Sequence, residues 1–167
     1  MDACSNAQSL GVVDAVNFNA PGQVVIAGSN AAVEAAMETC KAAGAKRALP
    51  LPVSAPFHTS LMKPAADNLA DLVNSVTFSV PQVPVVHNVH AQTESDPETI
   101  KALMLEQIYS PVKWVDCVKQ LKASGASTLV ECGPGKVLSG LAKRIDRELI
   151  ALATESVADF DAALTTI

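Results

Sequence analysis

A chain of 167 residues with 49% hydrophobic and only 17% charged side chains fits one domain with a large buried core, and it leaves an apolar surface to account for. A formal net charge of −5 without a basic stripe argues against nucleic acid as a partner. No apolar run reaches the roughly 18 residues that span a bilayer, so no membrane association is expected. No signal peptide is expected at Met1, and Cys4, Cys40, Cys117 and Cys132 are scattered without a C-x-x-C pattern, which predicts reduced thiols in a cytoplasmic protein.

In chain order, residues 2–9 read as the end of a polar helix stopped by Gly11. Val12–Phe18 and Gln23–Ala27 are β-rich runs around Asn19-Ala20-Pro21-Gly22, which predicts a hairpin. Asn17 and Asn19 alternate with Val16 and Phe18, so both asparagines are expected on one face. Ser29 or Asn30 is expected to cap a helix over 31–43, with Ala32, Val33, Ala36, Met37 and Cys40 on one face and Gly44 ending it. Lys46–Val53 is predicted as the next strand. This block resembles most of a ferredoxin-like subdomain that lacks its first strand.

A second block starts near Pro56. The pattern predicts a helix over Leu61–Asn74, with Leu61, Leu69, Leu72 and Val73 as core and Pro64 in its first turn. Thr77–Val80 and Val83–Val89 read as extended, and Asp96-Pro97-Glu98 as the start of a helix running to about Tyr109. Pro111 is expected to start another helix, with Val112, Val115, Val118 and Leu121 at helical spacing and Gly125 at its end. Thr128–Cys132 is a buried strand, 136–147 a helix, Ile150–Thr154 a strand and 156–165 a helix. Strands alternating with helices predict a parallel sheet.

The segment from Pro50 to Met62 carries the first candidate for chemistry. Pro50, Pro52 and Pro56 stiffen the backbone entering His58, at a strand exit where open α/β sheets place reactive groups. The alternative is that Thr59 or Ser60 caps a helix that His58 merely flanks. His87 and His90 form H-x-x-H, but residues three apart in an extended strand point to opposite faces and no other ligand stands beside them, so no metal is expected. Gly133-Pro134-Gly135-Lys136 is expected to be a tight strand-to-helix turn rather than a phosphate loop. Lys46-Arg47, and Lys136, Lys143, Arg144 and Arg147, are candidate basic patches with solvated charges as the alternative.

Four stretches resemble, in order and spacing, the bacterial malonyl-CoA:acyl carrier protein transacylases: Val16 to Gly28, Ala48 to Ala65, Gln107 to Trp114, and Glu131 to Leu141. The resemblance covers the C-terminal half of a family member. It implies an α/β fold, with a partial ferredoxin-like subdomain over 1–54 followed over 55–167 by the C-terminal portion of an α/β-hydrolase-like parallel-sheet domain. It implies that His58 is the general base, that the backbone carbonyl of Gln107 orients it, and that Asn17 and Asn19 border the acyl cleft. It implies malonyl-CoA as substrate and no cofactor. The acidic acyl carrier protein is the implied partner, and Lys46 and Arg47 could steer it. The family's G-x-S-x-G nucleophile occurs nowhere in the chain, and its carboxylate-binding arginine also belongs to the N-terminal half, which becomes an implied partner. The alternative function is a non-catalytic ferredoxin-like binding or carrier-protein docking module.

Overall fold

The computed structural model describes residues 2–166. Helix α1 (Asp2–Ala7) and a 3₁₀ turn lead into an antiparallel hairpin of β1 (Val13–Ala20) and β2 (Gln23–Gly28), folded at Pro21-Gly22 as the turn residues predict. Val16 and Asn19 are extra residues on β1, where the register with β2 slips. Val13, Val16 and Ala20 are the buried positions, so burial does not alternate strictly. The bulge at Asn19 interrupts the period of two on which the expected common face of Asn17 and Asn19 rests.

Helix α2 (Asn30–Ala42) follows Ser29 at its expected N-cap position, where the hydroxyl donates to the carbonyl of Val12 at 3.3 Å rather than accepting from a helix N–H. The helix ends at Gly44, φ 89°, where Ala45 N–H donates to Cys40 and Gly44 N–H to Lys41. This crossed pair needs a left-handed residue that glycine supplies without a Cβ penalty. Cys4 and Ala7 of α1, Val13 of β1, and Ala32 and Ala36 of α2 form a buried cluster, with Ile26, Val33 and Ala35 against it. Its small side chains let both helices lie close to the hairpin.

Lys46–Val53, expected as a strand, is irregular chain. Pro50 and Pro52 have no N–H for a ladder, and Val53 N–H donates instead to Leu51 at 2.9 Å across a tight turn centred on Pro52. A 3₁₀ turn over Ser60–Met62 then precedes α3 (Lys63–Ser75). Of its expected core, only Val73 is buried, while Leu61, Leu69 and Leu72 are exposed. Thr77–Val80 forms no strand, and Val83–Val89 contributes only β3 (Val86–His87), which pairs with β4 (Gln92–Thr93) in a short hairpin. Pro81 and Pro84 remove the donors that a longer strand would need.

Helix α4 (Pro97–Glu106) opens on Asp96, whose carboxylate accepts from the Thr99 N–H at 2.8 Å and its hydroxyl at 2.7 Å. Helix α5 (Trp114–Ala123) begins later than Pro111 because Val112 is used elsewhere, as described below. Then β5 (Thr128–Glu131), α6 (Val137–Ile145) and β6 (Ile150–Ala153) form a β-α-β unit with the two strands parallel, and α7 (Val157–Thr166) closes the described chain. This is the one parallel strand pair among the described residues, less than the expected parallel sheet. The two sequence blocks are joined through β1: Phe18 N–H donates to Val112 at 3.0 Å, and Val112 N–H donates to Val16 at 2.8 Å.

Candidate active site

The loop after Pro56 and the end of α4 meet at His58. Its Nδ1 lies 2.8 Å from the Gln107 carbonyl oxygen, across 49 positions of sequence. A carbonyl has no proton to give, so Nδ1 is the donor, and in the neutral ring Nε2 is left with a free lone pair. The main chain holds the same residue again, through His58 N–H donating to the Ile108 carbonyl at 3.2 Å. His58 has φ 64°, a left-handed conformation that costs a residue with a Cβ about 1–3 kcal/mol. The surrounding bonds therefore determine it, not its own preference.

Both carbonyls are free for local reasons. In a continuing helix Gln107 O would accept from residue 111, which is Pro111 and has no N–H. Ile108 O would accept from Val112 N–H, which instead bonds to Val16. Lys63 at the start of α3 adds a third tie, its ammonium 4.9 Å from the centre of the Tyr109 ring. Together these contacts can fix one tautomer of an imidazole and aim it, which suits a group that removes a proton from a hydroxyl or thiol. Sequence reasoning gave Ile108 and Tyr109 no role here and took Thr59 only as a possible helix cap. Pro111, one helical turn after Gln107, was the local signal for the free carbonyl.

Asn17 lies in β1 between the two backbone bonds to Val112, just beyond the Gln107 turn, and Asn19 is the bulged residue nearer the hairpin tip. Lys46 and Arg47 are exposed on the irregular chain after α2. In the second basic patch, Lys136 pairs with Asp159 at 2.9 Å and Arg144 hydrogen-bonds Gln23 of the hairpin. A cleft of about 320 Å³ opens beside the histidine loop, lined by Gln8, Gly11, Val12, Val13, Asp14 and Ser60.

His87 and His90 do not point apart as an extended strand would require. A turn follows His87, and the two rings meet edge to face at 5.9 Å. Burial, and then the neighbouring His90, lower the pKa of His87. No group of three or more His, Cys, Asp or Glu able to hold a metal occurs among the described residues. Likewise, no described helix is long and apolar enough to cross a membrane. Gly133-Pro134-Gly135 makes the expected turn, and Glu131, to which the sequence reading gave no role, anchors it: its carboxylate accepts from Leu138 N–H at 3.0 Å and Ser139 N–H at 2.8 Å.

The model of the acyl transferase domain family matches residues 3–157. Malonyl CoA-acyl carrier protein transacylases of Salmonella typhimurium and Escherichia coli K12 are 54% and 52% identical to the chain over 163 and 162 residues. These alignments cover 98% and 97% of this chain but 53% and 52% of the relatives. A crystal structure of acyl-carrier-protein S-malonyltransferase from Burkholderia pseudomallei superposes with a TM-score of 0.95 at 50% identity, covering 98% of this chain and 53% of that one. A malonyl-transacylase solved in complex with a type II PKS acyl-carrier protein superposes with a TM-score of 0.96 at 48% identity, covering 99% and 54%. The chain thus spans about half the length of the curated relatives it matches.

Proposed function

Because the chain belongs to the acyl transferase domain family, we propose that it is the base-carrying portion of a malonyl-CoA:acyl carrier protein transacylase of fatty acid biosynthesis, working in the cytoplasm. The observation that carries this reading is the 2.8 Å contact between His58 Nδ1 and the Gln107 carbonyl. In the proposed reaction His58 Nε2 takes the proton of a serine hydroxyl as that oxygen attacks the malonyl thioester, and returns it to the departing coenzyme A sulfur. In the second half, Nε2 takes the proton of the carrier protein's phosphopantetheine thiol. The thiolate then attacks the malonyl ester, and the proton goes back to the serine oxygen. No G-x-S-x-G occurs in the chain, so the serine is assigned to a complementary N-terminal portion, as is the arginine for the malonyl carboxylate.

Within this reading residues 1–54 are a partial ferredoxin-like subdomain and 55–167 the C-terminal portion of an α/β-hydrolase-like domain. Asn17 and Asn19 border the acyl group, and Lys46 and Arg47 meet the acidic carrier protein. The test is a radiolabelled malonyl-CoA assay. The chain alone is expected to transfer no malonyl group, and the chain combined with the complementary portion is expected to transfer it. A stable acyl ester mapped to any serine of this chain contradicts the division of labour. Failure of the combination to transfer malonyl favours the docking-module alternative.

A further inference from the structure

We propose that Thr59 is a positioning residue for His58, its buried hydroxyl closing the turn that holds the imidazole against the Gln107 carbonyl. This rests on the reading of His58 as the base. Thr59 is 1% exposed, the more deeply buried of the two buried polar residues in the described chain. A hydroxyl sealed from water must spend its proton inside the protein. It precedes the 3₁₀ turn at Ser60–Met62 but does not cap it. Instead Thr59 Oγ1 donates back to the carbonyl of Pro56 at 2.7 Å.

That bond closes a ring over Pro56, Phe57, His58 and Thr59, and His58, with φ 64°, lies within it. Pro56 holds the entry through its fixed φ, with Phe57 N–H turned back onto the Ala55 carbonyl at 2.9 Å. The exit is held by Met62 N–H, which donates to the Thr59 carbonyl at 3.0 Å. Histidine tolerates positive φ better than most residues with a Cβ but is still more stable at negative φ, so opening the ring lets the backbone relax that way. The Cβ direction then swings and Nδ1 leaves its acceptor. Without that acceptor the neutral ring divides between its two tautomers, and only the one protonated at Nδ1 has Nε2 free as a base.

The experiment compares Thr59→Val, which keeps the shape and loses the hydroxyl, with Thr59→Ser, which keeps the hydroxyl, each in the chain combined with its complementary portion. Two readouts are taken: kcat and KM for malonyl transfer, and the ¹⁵N spectrum of His58, which reports the tautomer. Thr59→Val is expected to lower kcat about 10-fold, a fraction of what loss of a general base costs, with KM little changed. It should also shift His58 away from the Nδ1–H tautomer, and Thr59→Ser should restore both. A Thr59→Val protein with wild-type tautomer overturns the proposal, whether its rate is kept or lost, since a loss would then be one of folding. The tautomer is read independently of whether His58 is the base, a question that His58→Ala answers separately.

Discussion

His58, His87 and His90 have different ring environments, and these set different expectations for substitution. His58 donates to a carbonyl that helix geometry leaves free, and its other nitrogen is available for proton transfer. In the combined enzyme His58→Ala is expected to lower malonyl transfer in both directions by about 10²–10⁴-fold, since in the proposed reaction one imidazole serves both half-reactions. Steady-state assays from either direction measure this. Retention of more than about a tenth of the rate would reduce His58 to a residue that flanks a turn. The orienting acceptor is main chain, so Gln107→Ala should leave the rate within a few-fold. His87→Ala and His90→Ala should do the same: His87 Nε2 is buried without a partner, and His90 Nδ1 accepts from Gln92 N–H in its own hairpin.

Among the elements, α6 depends on a side chain outside it. Burial alone would raise the pKa of Glu131, but hydrogen bonds from the N–H groups of Ser139 and Leu138 outweigh it and lower the pKa. A carboxylate with a depressed folded-state pKa adds stability above its unfolded pKa and loses it as pH falls through the folded value. Acidification below the ordinary glutamate range should therefore loosen the start of α6, seen as faster amide exchange at Leu138 and Ser139. Glu131→Ala should produce the same loosening at neutral pH, at a cost of about 1 kcal/mol, the usual loss with a helix cap. Unchanged exchange in that variant would remove Glu131 from the role. How legible each element was follows from where its cause lies. The hairpin and α4 were readable because Pro21-Gly22 and Asp96-Pro97 act locally. Lys46–Val53 looked like a strand because its apolar residues have strand spacing, but a strand also needs a partner and free donors, and Pro50 and Pro52 removed donors. The bulges in β1 come from pairing, which composition does not encode. The His58–Gln107 contact spans 49 positions. Periodicity cannot join such distant residues, and only the family resemblance pointed to it.

At the scale of the whole molecule, the accessible surface is 10364 Å². A compact monomer of this mass exposes about 7,800 Å², so the excess is about 2,500 Å². Much of what shows is apolar: Leu49, Leu51 and Val53 on the irregular chain, Leu72 on α3, Val80, Val83 and Val85 before β3, and Val157, Phe160 and Leu164 along one side of α7. An excess of this size, carrying these apolar side chains, matches one side of an obligate interface, and the proposed complementary portion is its natural cover. Alone, the chain is expected to self-associate or to melt without a sharp transition. Sedimentation as a clean monomer with cooperative unfolding would contradict this. Addition of the complementary portion should convert the aggregates to a single one-to-one species.

The stretch from Gln107 to Val112 is fastened at both ends, to His58 through the carbonyls of Gln107 and Ile108 and to β1 through both backbone groups of Val112. Surface connections between helices usually absorb insertions and deletions with little consequence. This one behaves instead as a spacer of set length, with Pro111 limiting its slack. A single glycine inserted between Tyr109 and Ser110 cannot leave both attachments in register: either Val112 lets go of the hairpin or the end of α4 retreats from the imidazole. Such an insertion should abolish transfer in the combined enzyme as completely as His58→Ala does, while the same insertion between Ala45 and Lys46, beyond the last bonded turn of α2, should be nearly silent.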